Sequence, residues 1–258
     1  MIRTLRKYGR LAAILAGFAF CVPLHYLWKL FGARSPWPRL FLGYVGRRFG
    51  LRVRTEGTPL TRNVLYTPNH VSWLDILVVG GAVPAAFVTK AELEGIVRWA
   101  SALNDSVYID RNMRSSVKGQ AGDLRSRLAE GRAVCLFPEG TTSGRLILPF
   151  RPSLFASLYP PLPGVMVQPV VLDFDDIDDA AWIGDEAYEL NIKRILERPG
   201  RLDVTIRFLA PIDPAQAGDR KKLAALARAE VIAALPGVRA IEDAPAVPAA
   251  SVETALPV

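Results

Sequence analysis

Residues Asn63–Val79 read NVLYTPNHVSWLDILVV. The opening NVLYT is rich in β-branched, apolar and aromatic residues and reads as a strand. Pro68 disfavours helix immediately before it, and Ser72-x-x-Asp75 is a capping-box-like start for a helix that continues into ILVV. A strand that turns straight into a helix is half of a βαβ unit, so this stretch points to an α/β fold.

Comparable β-rich runs recur along the chain. They are LRVRT from Leu51, AAFVT from Ala85, SVYID from Ser106, AVCLF from Ala133, VMVQPVVL from Val165 and DVTIRFL from Asp203. Helical spacing lies between some of them: Val117, Ala121, Leu124 and Leu128 fall on one face, and Gly131 stops the pattern. The expected fold is α/β, a mostly parallel sheet flanked by helices. DVTIRFL alternates with period two and is expected half-exposed at a sheet edge. DRKKLAALARAEVIAAL, from Asp219, reads as a last amphipathic helix with Leu223, Ala227, Val231 and Leu235 on one face.

Charge is distributed unevenly over the 258 residues. Of the 32 Lys and Arg, 11 lie in residues 1–55, which hold no acid; 21 remain against 25 acids in the rest. The high isoelectric point, about 9.6, therefore belongs to one end of the molecule, which argues against a nucleic-acid partner. That end also carries the longest apolar run, LAAILAGFAFCVPLHYLWKLF from Leu11 to Phe31, with Arg3, Arg6, Lys7 and Arg10 before it. Its length is close to a membrane span, although Pro23, His25 and Lys29 interrupt its second half. Residues 1–50 are thus expected to form a helical membrane anchor on a phospholipid surface, either spanning or re-entrant. A cleaved signal peptide fits less well, for want of an A-x-A site. A globular domain over 51–237 follows, and the Ala- and Pro-rich 238–258 is expected to be a disordered tail. Cys21 and Cys135 are far apart in apolar surroundings, which suits a reducing, cytosol-facing body with no disulfide.

Three stretches carry chemistry. His70 precedes Asp75 by five residues, too far round an ideal helix for the two to meet. If His70 sits in the turn before the helix, Asp75 can point back to it, fix its tautomer and stabilise an imidazolium. The plainer reading is that Ser72 and Asp75 only cap the helix. Downstream, AVCLFPEGTTSGR places Pro138, Glu139, Gly140, Thr141, Thr142, Ser143 and Arg145 just past a strand, where open α/β sheets bind ligands. Gly140 allows close backbone approach, and the residues after it offer donors to an oxygen-rich ligand. Arg111 follows the SVYID strand and could grip a phosphate or carboxylate. Two histidines and two separated cysteines do not make a zinc site, and DFDDIDD, from Asp173, lacks the glycine and spacing of a calcium loop.

Taken together, NHVSWLD, VYIDR, FPEGT and the looser VQPVV around Pro169 resemble, in order and spacing, the glycerolipid acyltransferases of the 1-acylglycerol-3-phosphate acyltransferase family. The likeness runs from about Arg52 to Leu209. It implies transfer of a fatty acyl group from acyl-CoA or acyl carrier protein to the hydroxyl of a lysolipid, with no metal or other cofactor. In that reading His70 is the general base and Asp75 orients it. Arg111, Glu139, Gly140 and Thr141 bind the acceptor, and the enzyme works at the cytoplasmic face of the inner membrane. Lysophosphatidate is the first acceptor implied. Two departures point elsewhere: Thr142 stands where many members carry Arg, and Pro152-Ser153 interrupts a Lys/Arg-x-Gly pattern. Both resemble the branch that acylates lyso-ornithine lipid. A non-catalytic membrane lipid-binding protein is the alternative of another class, and the intact His70 and Asp75 count against it.

Overall fold

A computed structural model of the chain describes residues 2–32, 35–90, 107–109, 116–182, 186–235 and 239–240. The strands, in chain order, are β1 (Leu51–Glu56), β2 (Val64–Pro68), β3 (Ala86–Lys90), β4 (Val107–Ile109), β5 (Ala133–Cys135), β6 (Leu146–Ile147), β7 (Met166–Phe174), β8 (Leu202–Phe208) and β9 (Arg239–Ala240). The helices are α1 (Ile2–Leu30), α2 (Trp37–Arg48), α3 (Leu74–Ala82), α4 (Ser116–Ala129), α5 (Ile177–Ala180), α6 (Tyr188–Glu197), α7 (Pro214–Ala217) and α8 (Arg220–Ala233), with a 3₁₀ turn over Pro152–Leu158.

Seven strands form one sheet in the order β1-β8-β7-β2-β5-β3-β4, and β6 pairs with β9 apart from it. Every neighbouring pair in the large sheet is parallel except β7 with β8. Central β2 is buried along its whole length, as a parallel strand covered on both faces must be. Its alternating residues feed two cores. Tyr66 packs with Leu74, Phe87 and Ile206 on the side of α2 and α3. Leu65 packs with Leu128, Phe155 and Leu223 on the side of α4 and α8.

DVTIRFL is not at an edge. It is β8, paired on both sides, and β1 holds the edge. The period-two alternation that suggested exposure has another cause. Asp203 lies near Arg52 and Arg54, and Arg207 pairs with Glu56 and Asp173, so one face of β8 carries ion pairs. β1 in turn shows the exposed charges that keep an edge strand from pairing further.

Helix α8 matches its sequence pattern: Leu223, Ala227, Val231 and Leu235 are all buried. Asp219 caps it, accepting from the backbone N–H groups of Lys221 and Lys222. Within 238–258, expected as a tail, Arg239 and Ala240 form β9 and pair with Leu146 and Ile147 of β6; the other residues of that span lie outside the described residues.

The apolar run near the N-terminus is one continuous helix, with Pro23 inside it. By length and composition α1 could cross a membrane, and Leu15, Phe20, Leu27, Trp28 and Leu30 along it are exposed. The aromatic, basic segment after it is helical too. Contacts of Phe20 with Trp37, Phe18 with Phe41, and the Tyr44 hydroxyl with Ala13 O (2.8 Å) run in opposite directions along α1 and α2, so the two form an antiparallel hairpin. Helix α2 then seats the hairpin on the body. A Cβ on Gly81 of α3 would come within 2.8 Å of Gly43 Cα, so glycine at both positions lets the two helix backbones touch.

Candidate active site

The turn between β2 and α3 is built by three side chains. Asn69 is buried, and its amide donates to Leu172 O (3.1 Å) and accepts from Leu172 N–H (2.8 Å), pinning the turn to β7. His70 follows, with its ring 4.0 Å from that of Phe137 and nearly parallel to it. Asp75, in the first turn of α3, is completely buried.

One oxygen of Asp75 performs both tasks that the sequence offered as alternatives. Oδ2 accepts from Val71 N–H (2.7 Å) and Ser72 N–H (3.0 Å), which tie down the backbone at the start of the helix. The same oxygen lies 2.8 Å from His70 Nδ1. Capping and orientation are therefore one arrangement. With Nδ1–H donating to the carboxylate, Nε2 keeps its lone pair for a proton from outside. Burial holds the Asp75 carboxyl above its ordinary range, and the hydrogen bonds from His70, Ser72 and Val71 oppose the rise.

Glu139 is placed beneath the site. Its carboxylate is 1% exposed; Oε1 accepts from His70 N–H (2.8 Å) and Oε2 from Leu148 N–H (3.0 Å). Sequence reasoning had it lining the acceptor site, but its polar atoms bond to the protein itself and join the His70 turn to the loop after β5. Ser143, which the sequence offered as a ligand donor, completes the junction: its N–H donates to His70 O (2.8 Å). Its hydroxyl is 2.7 Å from Glu139 Oε2 and 2.6 Å from Leu146 O. A hydroxyl has one proton, so both short contacts are satisfied together when Glu139 is protonated and Ser143 donates to Leu146 O. This agrees with the effect of burial, which pushes the Glu139 carboxyl up to about 7.

The rest of the FPEGT loop faces outward. Gly140 has φ +80°, and a Cβ there would come within 3.0 Å of Arg151 Nε, so the Arg151 guanidinium lies against the glycine backbone. Thr141 is exposed and Thr142 half-buried. Arg145 is taken up by a two-pronged pair with Asp178 (2.8 and 2.6 Å). Arg111 lies outside the described residues. Burial pushes the Cys135 thiol far above its ordinary value, which leaves it a core residue and not a nucleophile. Sequence reasoning missed the placing of Arg151 and the link from Trp73 Nε1 to Asn191 Oδ1 (2.9 Å), which fixes the start of α3 to α6. Trp73, at the end of the NHVSW turn, was the available signal, since an indole N–H that is taken partly out of water needs an acceptor.

A histidine backed by a buried carboxylate, at the carboxyl end of a parallel strand and beside a second strand-end loop, is equipped to take a proton from a hydroxyl. Comparison with known proteins places that equipment in a class. The family model described as Acyltransferase matches residues 50–173, which include His70, Asp75 and Glu139. The chain is 32% identical over 249 residues to the lyso-ornithine lipid O-acyltransferase of Brucella abortus, spanning 87% of this chain and 91% of that protein. It is 34% identical over 256 residues to the enzyme of that name from Pseudomonas aeruginosa, spanning 93% and 95%. The 1-acyl-sn-glycerol-3-phosphate acyltransferase of Neisseria gonorrhoeae is 28% identical over 180 residues, spanning 67% and 70%. The crystal structure of the 1-acyl-sn-glycerophosphate acyltransferase PlsC from Thermotoga maritima has the same fold, with a TM-score of 0.67 at 23% identity over 90% of this chain and 92% of that one.

The chain belongs to the Acyltransferase family. It is an acyltransferase that acts on lysolipids.

Proposed function

We propose that this acyltransferase completes ornithine lipid by esterifying the free hydroxyl of lyso-ornithine lipid. His70 Nε2 takes the hydroxyl proton as the oxygen attacks the thioester carbonyl. The C–S bond then breaks, and the proton passes to the departing thiolate. Asp75 holds the ring and stabilises the imidazolium; Glu139 and Ser143 fix the turn behind it. The donor is an acyl thioester, a group that coenzyme A and acyl carrier protein both present. The step balances without a metal or redox cofactor. Gly140 and Thr141 line the acceptor side, and Arg111 takes the acceptor's anionic group.

The chemistry is carried by the 2.8 Å contact between His70 Nδ1 and a fully buried carboxylate. The acceptor reading moves from lysophosphatidate to lyso-ornithine lipid for two reasons. Relatives of that name align over nearly their whole length, and Thr142 brings no charge to the place where many members of the family carry Arg. Arg151, lying against Gly140, is a described cation at hand for the ornithine carboxylate. Helix α1 anchors the enzyme, with its body at the cytoplasmic face of the inner membrane, a placement supported by the unpaired thiols Cys21 and Cys135.

The test is turnover of the purified full-length enzyme with lyso-ornithine lipid and with lysophosphatidate, each with acyl-CoA and acyl carrier protein donors. The expected result is a preference of about tenfold or more in kcat/KM for lyso-ornithine lipid. A preference for lysophosphatidate overturns the acceptor, and no transfer to any lysolipid overturns the mechanism.

A further inference from the structure

Five arginines meet at the foot of the α1–α2 hairpin. Arg6 and Arg10 come from α1, Arg47 and Arg48 from the last turn of α2, and Arg201 from the residue before β8; they line a cleft of about 400 Å³. Its remaining described walls are Gly9, Gly50 and Gly200, and no acidic residue lines it among the described residues. A Cβ added to Gly9 or Gly200 would meet nothing within 4 Å, so the hollow between the arginines is open.

Part of this cluster has a structural task. Arg6 Nη1 donates to Glu197 O (2.9 Å), and Arg10 Nη1 donates to Ile195 O and Leu196 O (3.1 and 3.0 Å), which satisfies carbonyls at the end of α6. Arg48 lies 4.9 Å from the centre of the Tyr44 ring. Those tasks leave much of the cluster unused. Arg10 Nη2 is 3.5 Å from the point a Cβ on Gly50 would occupy. Among the described residues, no hydrogen bond or ion pair engages the guanidinium of Arg47 or Arg201. Gathering like charges in one hollow without an acid is unfavourable unless an anion compensates them.

The place of the hollow says which anion. The uncharged apolar run of α1 begins at Leu11, immediately after Arg10, and Arg47 and Arg48 end the helix that packs against it. The cluster thus lies where the apolar hairpin meets the polar body, which in a membrane-seated enzyme is the level of the lipid headgroups. We infer that this cleft is a seat for the phosphate of an anionic membrane lipid, distinct from the His70 site. Guanidinium groups grip a phosphate through paired N–H donors, and the glycine walls leave room for it. The inference rests on the reading of α1 as a membrane anchor. Free phosphate shares the chemistry but has no reason to be met at that level.

The test uses the full-length protein in neutral detergent micelles, with affinity measured for short-chain phosphatidylglycerol and for phosphatidylcholine. Gly9→Gln fills the hollow with a neutral residue favourable to helix and removes no contact; Arg47→Gln/Arg201→Gln removes charge from it. Arg220→Gln/Lys221→Gln, exposed on α8 across the sheet, makes the same charge change elsewhere. Wild type and the α8 variant should bind phosphatidylglycerol alike, while both cleft variants weaken by about tenfold or more. Inorganic phosphate at about 10 mM should not displace the lipid, because the headgroup is also held by its place at the interface. Three results overturn the proposal: unchanged affinity in Gly9→Gln, an equal loss in the α8 variant, or full displacement by inorganic phosphate. Lipid binding is read without turnover, so a failure of the acyl-transfer reading leaves these outcomes legible.

Discussion

Replacing Asp75 by Asn separates charge from shape at the centre of the site. The carboxylate oxygen Oδ2 accepts three hydrogen bonds, while Oδ1 is buried and has no partner among the described residues. An asparagine oxygen in the place of Oδ2 keeps all three, and the amide NH₂ then falls at Oδ1 with nothing to receive it. The opposite flip points NH₂ at three donors and is worse. Oδ1 is unpaired in the wild type as well, so the exchange adds no further unsatisfied position and the variant should fold with a thermal midpoint near that of the wild type. The imidazole keeps its tautomer but loses the negative partner that steadies it when protonated. A hydrogen bond to a charged group contributes about 1.5–3 kcal/mol, so kcat should fall by about 10- to 150-fold. KM for the lysolipid should hold, because Asp75 is enclosed behind His70. The assay is thiol release from the acyl donor under saturating lysolipid, with thermal unfolding of the same preparation. A kcat within about threefold of wild type in a folded variant would refute the proposed role of Asp75 in stabilising the imidazolium.

His70→Ala should lower kcat by about 10²- to 10⁴-fold with an unchanged circular dichroism spectrum, and turnover near the wild-type rate would remove His70 as the base. Glu139 gives a pH signature. Its carboxyl titrates at about 7 when folded and near 4.5 when free, so between those values the folded chain keeps a proton that the unfolded chain has lost. The stability it contributes is complete below about 4.5 and falls by about 3 kcal/mol as pH rises to about 7. Glu139→Gln should flatten that slope in denaturant titrations, and a slope equal to wild type would show that another group causes it. Thr142→Arg should reduce turnover of lyso-ornithine lipid, since a cation at 142 faces the ornithine ammonium, and should hold or raise turnover of lysophosphatidate. The reverse pattern, read as kcat/KM with both acceptors, would count against the acceptor reading.

Much of the fold is legible because its central strands are buried on both faces. A run such as NVLYT has few other uses in a chain of this length, and the strands and helices named from the sequence occur where expected. Position within the sheet is a different matter. The alternation in DVTIRFL is real, but periodicity records which residues face a core and not what covers the opposite face. Here Arg52, Arg54, Glu56 and Asp173 from neighbouring strands meet Asp203 and Arg207. The α1–α2 hairpin was half legible. Apolar length marks α1, but the pairing of Gly43 with Gly81 depends on residues 38 positions apart, which local pattern cannot report.

The site shows the same division between chemistry and placement. His70 and Asp75 were readable as a pair because five residues span a turn that both the cap and the orienter need. Glu139 was readable as important and misread in position. A carboxylate beside glycine and hydroxyl residues at a strand end looks like a ligand contact, yet here its 1% exposure turns it toward His70 N–H, Leu148 N–H and Ser143. Two buried carboxyl groups therefore hold one histidine, Asp75 by its ring and Glu139 by its backbone. Each also satisfies N–H groups that the turns would otherwise leave unpaired. Burying a carboxylate is costly unless donors converge on it, and each strand-end turn supplies them by exposing consecutive N–H groups. The chain has thus put its acids where the backbone needs acceptors, which fixes the catalytic ring as a consequence of satisfying the turns.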